Sequence, residues 1–328
     1  MTVRSRMEQH LNSIWYSKGR RPPLLHRALE RVHRSLARSR FLRPLKRPPV
    51  PVIVVGNLCA GGSGKTPTVI ALATALKTDL RVAVISRGYG GKSSTYPRTV
   101  EWDTPVAECG DEALLIRRSA DVPVVVDPDR GRALLRAIDI SGAQVVISDD
   151  GLQHQGLARS FEVCLFDGSR GIGNGRLLPA GPLRQPLCRI DNVEQVLIKG
   201  DGMSLPGAQR FHLEAIGIRR LGQDLDRDFS AWRGRSVRAF CALAHPEQFA
   251  TTLEDLGMQV ELESFPDHHL YERVDLDGLG APLITTSKDA IKLGAWARSL
   301  DINVLEVVAC LPNDLIDRIR QHIDGFES

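Results

Sequence analysis

The chain has 328 residues, of which 42% are hydrophobic and 25% charged, a composition that excludes a mainly disordered or fibrous protein. A chain of this length suggests about two domains. The formal net charge is only +4, but residues 1–50 carry 13 Lys and Arg against two acidic residues, so the rest of the chain is net acidic. A basic segment on an acidic body indicates a negatively charged partner surface, either a membrane or a nucleic acid.

The six cysteines contain no CxxC pair and stand at positions 59, 109, 164, 188, 241 and 310. This spacing suggests neither a zinc site nor a disulfide framework and fits a reducing compartment. The sequence has no run of about 18 apolar residues, and its polar, Arg-rich start lacks the apolar stretch of a signal peptide. We therefore expect a cytosolic protein without a membrane-spanning helix or a cleavable signal peptide, though not one that is always free in solution.

Residues 24–41, after a Pro-Pro pair, are predicted to form an amphipathic helix. An apolar set and a basic set recur at helical spacing on different faces. The two sets are Leu25, Leu29, Val32 and Leu36, and Arg27, Arg31, Arg34 and Arg38. Trp15 and Tyr16 precede the helix, and such rings favour a membrane–water interface. Three interpretations stay open: a helix packed on the body, a helix on a membrane surface, and a nucleic-acid-binding segment.

From residue 50 onwards, short apolar strands alternate with helices, as expected for buried parallel strands. Strands are predicted at 50–55, 81–85, 122–126, 144–147, 163–166 and 193–198, and helices at 68–76 and 112–119. Beyond residue 200 the pattern weakens, and further strands are predicted at 237–242, 283–286 and 304–308. The sequence therefore predicts an α/β protein with a doubly wound, mostly parallel sheet. We divide it into a basic segment at 1–48, a core at 49–228 and a smaller C-terminal α/β domain at 229–328.

The strongest motif is the segment 61–66, Gly-Gly-Ser-Gly-Lys-Thr, between the first apolar strand and a helix. That context is what a phosphate-binding loop requires, because glycines turn backbone N–H groups toward a phosphate and the helix N-terminus adds its dipole. Lys65 would reach the β- and γ-phosphates, and the Thr66 hydroxyl would bind Mg²⁺. Cys59 stands where the strict pattern has Gly. The core is thus predicted to be of the phosphate-loop NTPase type.

Two carboxylates, Asp149 and Asp150, follow the apolar strand at 144–147. In phosphate-loop enzymes an Asp at this strand end organises the Mg²⁺ shell, although Asp also commonly forms turns there. Gln153 and His154 come directly afterwards. Arg87 follows the second strand, at the same sheet edge, and either clamps a phosphate or belongs to a plain glycine loop.

Three other segments carry polar groups of less certain chemistry. Asp111 begins a predicted helix and could be a first-turn acid or a cap. Residues 177–186 form a Pro-rich loop suited to holding a large substrate. Asp267, His268 and His269 are consecutive, and paired histidines more often cap or pack than catalyse.

Taken in order, these segments resemble the tetraacyldisaccharide 4'-kinases of lipid A biosynthesis. The matching segments are 51–57, 61–67, 86–91, 110–112, 148–154, 177–186, 265–268 and 285–292. The resemblance implies transfer of the γ-phosphate of ATP, with Mg²⁺, to the 4'-hydroxyl of a tetraacyldisaccharide 1-phosphate, giving the 1,4'-bisphosphate (lipid IVA). It implies a peripheral or monotopic protein on the anionic cytoplasmic face of the inner membrane. No nucleic acid and no obligate protein partner is implied.

The resemblance also assigns roles to single residues. Asp111 would accept the proton of the sugar hydroxyl with support from His268, and Lys65 would act on the transferred phosphate. ATP binding falls to Cys59, Ala60, Gly61, Gly62, Ser63, Gly64, Lys65 and Thr66, Mg²⁺ to Thr66, Asp149 and Asp150, and substrate binding to Arg87, Gln153, His154 and Arg184. Two positions depart from the family pattern: Cys59 replaces a usual Thr, and Gln185 replaces a frequent acid, which bears on any metal role of its loop.

The alternative function is a membrane-associated ATPase switch of the ParA/MinD type, since those proteins share a GGxGKT loop and amphipathic membrane helices. Their loops carry Lys immediately before the Gly-Gly pair, where this chain has Ala60. A GTPase is less favoured, because Ser287-Lys288-Asp289 lacks the spacing of the base-reading N-K-x-D motif. A nucleic-acid-binding ATPase would use the basic segment on phosphates, but that segment has no interleaved aromatic residues.

Overall fold

The computed structural model describes residues 3–17, 21–40, 47–154, 156–280 and 282–326, with side chains except at 3–9 and 34–40. Within these ranges twelve strands form one sheet. The strands are β1 (Val52–Asn57), β2 (Val82–Ser86), β3 (Arg98–Val100), β4 (Val124–Val126), β5 (Val145–Asp149), β6 (Phe161–Asp167), β7 (Gln195–Lys199), β8 (Gln209–Arg220), β9 (Ser236–Cys241), β10 (Gln259–Ser264), β11 (Leu283–Thr286) and β12 (Ile302–Cys310).

Ten α-helices accompany the sheet in the described part of the chain. They are α1 (Val3–Tyr16), α2 (Leu24–Arg40), α3 (Lys65–Leu76), α4 (Val106–Cys109), α5 (Asp111–Ala120), α6 (Arg130–Ser141), α7 (Pro246–Asp255), α8 (Arg273–Leu276), α9 (Ser287–Ala290) and α10 (Asn313–Asp324). Three short 3₁₀ turns lie at Leu187–Asn192, Ser230–Trp232 and Ala295–Ser299.

The strand order across the sheet is β10-β9-β11-β12-β8-β7-β6-β1-β5-β2-β4-β3. Among the described strands, only two neighbouring pairs are antiparallel, β8 with β12 and β3 with β4. The prediction of a mostly parallel α/β sheet is therefore confirmed. The strands of the C-terminal part do not form a separate sheet, because β8 pairs with β7 on one side and β12 on the other.

The core is built on both faces of the central strands. Every residue of β1 is buried, and its side chains alternate between two apolar clusters. Ile53 and Val55 pack with α3, α5 and α10, whereas Val52 and Val54 pack with α6. Burial on both sides explains the nearly continuous apolar run of this strand and fixes its carboxyl end at the start of the glycine-rich segment.

Three strands and several helices lie where the sequence predicted none. The unpredicted strands are β3, β8 and β10. The unpredicted helices include α1, α6, α7 and α10. Strands β3 and β10 occupy the two edges of the sheet, and many residues of β8 are exposed, so none of the three has the apolar run of a buried strand.

Helix α1 packs against the body of the protein. Ile14 and Trp15 are buried, and the indole Nε1 of Trp15 donates a hydrogen bond to the carbonyl oxygen of Pro179 at 3.0 Å. The guanidinium of Arg170 lies over the Tyr16 ring, 3.9 Å from its centroid. The expectation that these two rings lie at a membrane–water interface is wrong for Trp15, because its ring is enclosed by protein.

Helix α2 is attached through its acidic residue rather than its leucines. Glu30 is buried and accepts hydrogen bonds from Arg176 at 3.0 Å and from the backbone of Leu177 at 3.3 Å. The apolar residues on the described part of the helix are exposed: Leu24, Leu25, Leu29 and Val32. The predicted residues Leu36, Arg34 and Arg38 have side chains outside the described set, and Phe41 lies outside the described residues. None of the helices in the described ranges has the length and apolar character needed to span a bilayer.

Candidate active site

A cleft with a cavity volume of about 1940 Å³ brings together most of the polar residues predicted from the sequence. The predicted residues on its wall are Gly61, Gly62, Ser63, Gly64, Lys65, Thr66, Arg87, Asp149, Asp150, Gln153, His154, Arg184 and His268. Its other wall is formed by segments of the C-terminal part, including residues 243–245 and 286–288. Three predicted residues are not part of the wall: Cys59, Ala60 and Asp111. Asp111 contacts His268, and His268 is part of the wall.

The glycine-rich segment joins β1 to α3 with a backbone that only glycine adopts easily. Gly61 has φ +114° and Gly64 has φ +81°, both in the left-handed half of conformational space. The end of β1 supports the turn, since the Asn57 amide Nδ2 donates to the Gly61 carbonyl at 3.2 Å and to the Ser63 hydroxyl at 3.0 Å. Helix α3 then begins at Lys65, so its free N–H groups lie at the cleft.

Cys59 lies outside the cleft, although the strict motif places a glycine there. Its thiol is within 3.7 Å of the Gly171 carbonyl oxygen, to which it donates. Burial raises the pKa of this thiol to about 11, so it stays protonated at neutral pH. The departure from the motif therefore puts no charge at the glycine-rich segment.

Asp150 is held between two cations. Its carboxylate lies 3.8 Å from the Lys65 ammonium and 2.9 Å from the Arg184 guanidinium. Burial alone would raise the pKa of Asp150, but the positive charges of Lys65 and Arg184 outweigh it and the pKa is lowered. Asp150 is thus ionised, and Lys65 and Arg184 are oriented at the mouth of the glycine-rich segment.

The neighbouring Asp149 has an opposite environment. It is buried, and one carboxylate oxygen accepts a hydrogen bond from Ser86 at 3.3 Å, whereas Oδ1 has no hydrogen-bond partner among the described residues. Burial, followed by the negative charges of Glu112 and Asp150, raises the pKa of Asp149 to about 7. A buried oxygen without a donor is costly, which suggests that a further group completes this position.

Asp111 and His268 meet across the cleft although they are 157 residues apart. The Nδ1 atom of His268 lies 2.9 Å from Oδ2 and 3.0 Å from Oδ1 of Asp111. Burial would raise the pKa of Asp111, but the His268 hydrogen bond and the charge of Lys288 lower it overall. The side chain of Asp111 is therefore an ionised, buried proton acceptor, and not just a helix cap.

Lys288, on α9, is a site residue that sequence reasoning missed. Its ammonium lies 3.8 Å from Asp111, 3.4 Å from Glu112 and 3.5 Å from Asp267. Burial would lower the pKa of Lys288, but these three carboxylates raise it well above its usual range. The segment around it was one of those that carried the family resemblance, yet nothing in local spacing shows that a lysine at 288 meets an aspartate at 111.

The remaining predicted residues take different places in the cleft. The side chain of Arg87 is exposed and has no hydrogen-bond or ion-pair partner in the described ranges. Gln153 donates to the Asn57 carbonyl at 2.8 Å and lies 3.4 Å from the Gln185 side-chain oxygen. Burial, followed by the charges of Arg130 and Arg159, lowers the pKa of His154, which keeps it neutral.

His269 belongs to the packing of the C-terminal part. It stacks on Phe265 with ring centroids 4.9 Å apart and bonds to Asp275 at 2.9 Å. The sequence hypothesis that adjacent histidines pack therefore holds for His269 and not for His268. Two further residues near the glycine-rich segment, Arg170 and His245, hydrogen-bond to each other, and no sequence motif marks them.

Comparison with known proteins finds similarity to one family of kinases. The family model for tetraacyldisaccharide-1-P 4'-kinases (LpxK) matches residues 23–324. The tetraacyldisaccharide 4'-kinase of Alcanivorax borkumensis is 43% identical over 302 residues, 90% of each chain. That of Pseudomonas aeruginosa is 40% identical over 298 residues, 88% of this chain and 90% of its own. A crystal structure of LpxK from Aquifex aeolicus in complex with ATP matches with a TM-score of 0.73 and 29% identity, covering 90% of this chain and 98% of the other.

Proposed function

This chain belongs to the tetraacyldisaccharide-1-P 4'-kinase family, the kinases of lipid A biosynthesis, and we propose that the cleft described above carries out its phosphoryl transfer. The donor is ATP and the acceptor is the 4'-hydroxyl of a tetraacyldisaccharide 1-phosphate. The product is the 1,4'-bisphosphate, lipid IVA. The observation that carries this assignment is that His268, which hydrogen-bonds the buried Asp111, lines the same cleft as the phosphate-loop segment.

ATP would bind with its phosphates at residues 61–66. Backbone N–H groups of the segment and the first turn of α3 supply donors, and Lys65 supplies a positive charge. The Lys65 ammonium lies 3.8 Å from the Asp150 carboxylate. With ATP bound, it would also contact the β- and γ-phosphates. The structure of LpxK from Aquifex aeolicus in complex with ATP supports this donor.

The residues at the end of β5 fit a magnesium ion. Asp149 has a buried oxygen without a partner, Asp150 is ionised beside it, and the Thr66 hydroxyl lines the same cleft. Carboxylate and hydroxyl oxygens are the ligands that Mg²⁺ prefers. When bound, the ion would neutralise phosphate charge. Gln185 is not assigned to the magnesium site, because its side-chain oxygen lies 3.4 Å from the Gln153 amide nitrogen.

Asp111 is the general base of the proposal. As the sugar O4' forms its bond to the γ-phosphorus, the bond from phosphorus to the β–γ bridging oxygen breaks and ADP leaves. The proton of the 4'-hydroxyl passes to the Asp111 carboxylate. His268 hydrogen-bonds both oxygens of that carboxylate and so fixes its direction. A correctly placed base of this kind contributes roughly 10²–10⁴-fold to the rate.

Lys288 is a positioning residue in this scheme. It acts through the proposed base, because its ammonium lies 3.8 Å from Asp111 and also contacts Glu112 and Asp267. The His268 hydrogen bond, followed by the charge of Lys288, keeps Asp111 ionised despite burial. Lys288 also ties α9 to the start of α5. Closure of the proposed C-terminal domain (229–328) on the core (49–228) would therefore assemble the base as well as exclude water.

Four residues remain for the acceptor. Arg87 is the best placed for a phosphate, since its guanidinium is exposed at the cleft and not engaged by any described carboxylate. Arg184 pairs with Asp150 and lies 3.4 Å from the Gln153 side chain. Arg184 and Gln153 would therefore contact the sugar as one hydrogen-bonded network. His154 is neutral and can accept as well as donate.

Helix α2 would hold the protein at an anionic membrane surface, where the acylated substrate resides. Its exposed apolar stripe begins with Leu24 and Leu25, and Arg31 is exposed beside it. An apolar stripe flanked by arginines is typical of a helix that lies in a membrane interface. The alternative, a packing helix, would bury the stripe. We therefore propose a peripheral or monotopic protein of the cytoplasmic face of the inner membrane.

The test is transfer of ³²P from γ-labelled ATP to a disaccharide 1-phosphate lipid dispersed in detergent. Label in a 1,4'-bisphosphate lipid is the expected result. ATP hydrolysis stimulated by vesicles, with no label in lipid, would instead favour the ParA/MinD-type switch.

A further inference from the structure

A second cluster of chemically active side chains lies outside the cleft, on the ladder that β8 forms with β12. It consists of His212, Glu214 and Cys310, whose imidazole nitrogen, carboxylate oxygen and thiol sulfur all lie within 4.8 Å of one another. We propose that these three residues bind a thiol-preferring divalent cation, with Zn²⁺ as the best fit. Nothing in the phosphoryl transfer uses them.

Strand register explains why the three side chains share one face. Cys310 is directly opposite His212 in the antiparallel ladder, and Glu214 is two residues further along β8. Side chains of a strand alternate, so His212 and Glu214 point to one face while Leu213 packs in the core with Ala309. The cluster is thus held by two paired strands, on the face away from α3 and α10.

The contacts of the cluster leave its donor atoms available. In the described ranges the His212 ring has no hydrogen-bond or ion-pair partner. The Cys310 thiol donates to Glu214 at 3.1 Å, and no described Lys or Arg pairs with that carboxylate. The carboxylate, the thiol and the imidazole are thus close together without a Lys or Arg that would compete with a metal ion for the carboxylate.

The donor types select the metal. Histidine nitrogen, cysteine sulfur and glutamate oxygen are the ligands of Zn²⁺, with bonds of about 2.0–2.3 Å that set donors about 3.3–3.8 Å apart. Donors already within 4.8 Å of one another reach that spacing by rotation of exposed side chains. Mg²⁺ and Ca²⁺ prefer oxygen alone, so the thiol excludes them. A water would complete the tetrahedron.

Binding must release a proton, because the metal ligand is the thiolate. The Cys310 thiol, hydrogen-bonded to Glu214, would lose its proton to solvent as the sulfur–zinc bond forms. Affinity should therefore rise with pH through the neutral range. The bound ion would clamp one of the two antiparallel ladders among the described strands.

Cobalt(II) is the probe, added to metal-free full-length protein. We expect a thiolate-to-cobalt charge-transfer band that saturates at one equivalent, with release of about one proton and displacement by Zn²⁺. An oxygen-only site in the cleft gives no such band, so the Mg²⁺ position cannot imitate the signal. Cys310→Ser should abolish the band, and His212→Ala should weaken binding at least tenfold.

Cys188→Ser is the matched control, since the thiol of Cys188 is exposed and lies in the 3₁₀ turn Leu187–Asn192, outside the β8–β12 ladder. A band that persists in Cys310→Ser, or disappears in Cys188→Ser, overturns the proposal. Retained ³²P transfer and an unchanged circular-dichroism spectrum in Cys310→Ser show that the variant is folded. Absence of the band in the parent protein also overturns it.

Discussion

Asp149 and Asp150 are adjacent in sequence yet differ in charge. Two cations lie against Asp150 and hold it ionised, whereas Asp149 is buried beside negative charge and its pKa rises to about 7. Pairs of titratable groups whose environments separate their pKa values commonly mark a functional site. At the residue scale, the cleft therefore holds one carboxylate that is paired with cations, Asp150, and one that has an oxygen without a partner among the described residues, Asp149.

Lys65→Ala should reduce phosphoryl transfer by at least about 10²-fold, the order of loss when one charge-stabilising donor is removed. Lys65 lies at the cleft and not in the apolar core, so its loss should leave folding intact. Transfer of ³²P to the lipid measures the effect, and thermal unfolding measures stability. Lys92→Ala, at an exposed lysine outside the cleft, is the matched control. Undiminished transfer by folded Lys65→Ala would remove the nucleotide-site assignment.

Asp111→Ala should lower kcat by roughly 10²–10⁴-fold with little change in the KM for ATP, because a general base acts in the transition state. His268→Ala should lose less, since it only orients the carboxylate. The double variant should be little worse than Asp111→Ala, because the two residues act as a unit. Steady-state kinetics with varied ATP and lipid decide this, and additive losses would reduce both residues to structural roles.

Lys288→Met should move the acidic limb of the kcat–pH profile to higher pH. The groups facing Asp111 are His268, Lys288 and, further away, Lys292, and together they lower its pKa below the ordinary value. Activity needs the ionised form, so it falls as pH drops through that pKa. Removing one positive charge raises the pKa, and the loss then begins at a higher pH.

Lys288→Arg is the conservative partner of that variant and should keep the limb near its original place. A Met variant that loses rate equally at every pH, with unchanged profile, would mean that Lys288 only packs. Binding of a non-hydrolysable ATP analogue checks that Lys288→Met is folded.

Single residues also show where sequence reasoning stops. The place of Lys65, Asp149 and Asp150 at the cleft could be predicted because each stands in a local motif at a strand or helix end, whereas the role of Asp111 was implied only by the family resemblance. Lys288 could not be predicted, since its partners are brought to it only by tertiary folding. Cys310 stood without a CxxC partner for the same reason: its neighbours come from a strand nearly a hundred residues earlier.

At the scale of elements, helix α1 is a packed part of the protein, and Trp15 tests it. Trp15→Ala should destabilise the fold by about 3 kcal/mol, the usual cost of truncating a large buried aromatic side chain. Trp102, which is half exposed, supplies the control, and Trp102→Ala should cost much less. Urea unfolding monitored by circular dichroism measures both. Equal, small effects would show that α1 contributes little to the folded state.

Helix α2 carries the membrane prediction. Changing Arg27, Arg31, Arg34 and Arg38 to Gln should release the protein from anionic vesicles, because each basic residue near such a surface contributes about 1 kcal/mol. Residual binding should depend less on salt. Co-sedimentation with vesicles of defined anionic content measures it. Transfer to a detergent-dispersed substrate should survive, since the cleft is untouched.

A body variant with the same loss of charge is the control for α2. Arg227, Arg233, Arg235 and Arg273 are exposed outside α2, and their change to Gln should leave vesicle binding nearly as it was. If both quadruple variants are released alike, net charge and not the helix governs attachment. Unchanged binding of the α2 variant would mean that its arginines form only a solvated face.

The buried parallel strands could be predicted because each is a continuous apolar run. The missed strands lack that signal for a physical reason. Strands β3 and β10 are edges, and β8 is half exposed along its length, so polar residues interrupt all three. Packing of β8 between β7 and β12 therefore depends on pairing, which single-sequence patterning does not report.

For the molecule as a whole, the β8–β12 ladder joins two parts whose facing walls form the cleft. The phosphate segment and Asp111 come from the first part, and His268 and Lys288 from the second. The proposed catalytic set is thus incomplete in either part alone. Binding of a nucleotide should therefore stabilise both parts.

A non-hydrolysable ATP analogue with Mg²⁺ should therefore stabilise the whole chain and slow hydrogen exchange in both parts. At about 100 times its Kd, such a ligand adds about 2.7 kcal/mol to stability. Thermal unfolding should show the shift in the parent and in Lys92→Ala, and Lys65→Ala should lose most of it. Chelation of Mg²⁺ should reduce this thermal shift, because Asp149 would again keep an oxygen without a partner.

Exchange mass spectrometry should show protection in residues 61–67 and in 285–292 together. Protection confined to the first segment would mean that the nucleotide binds the core without drawing the C-terminal part onto it.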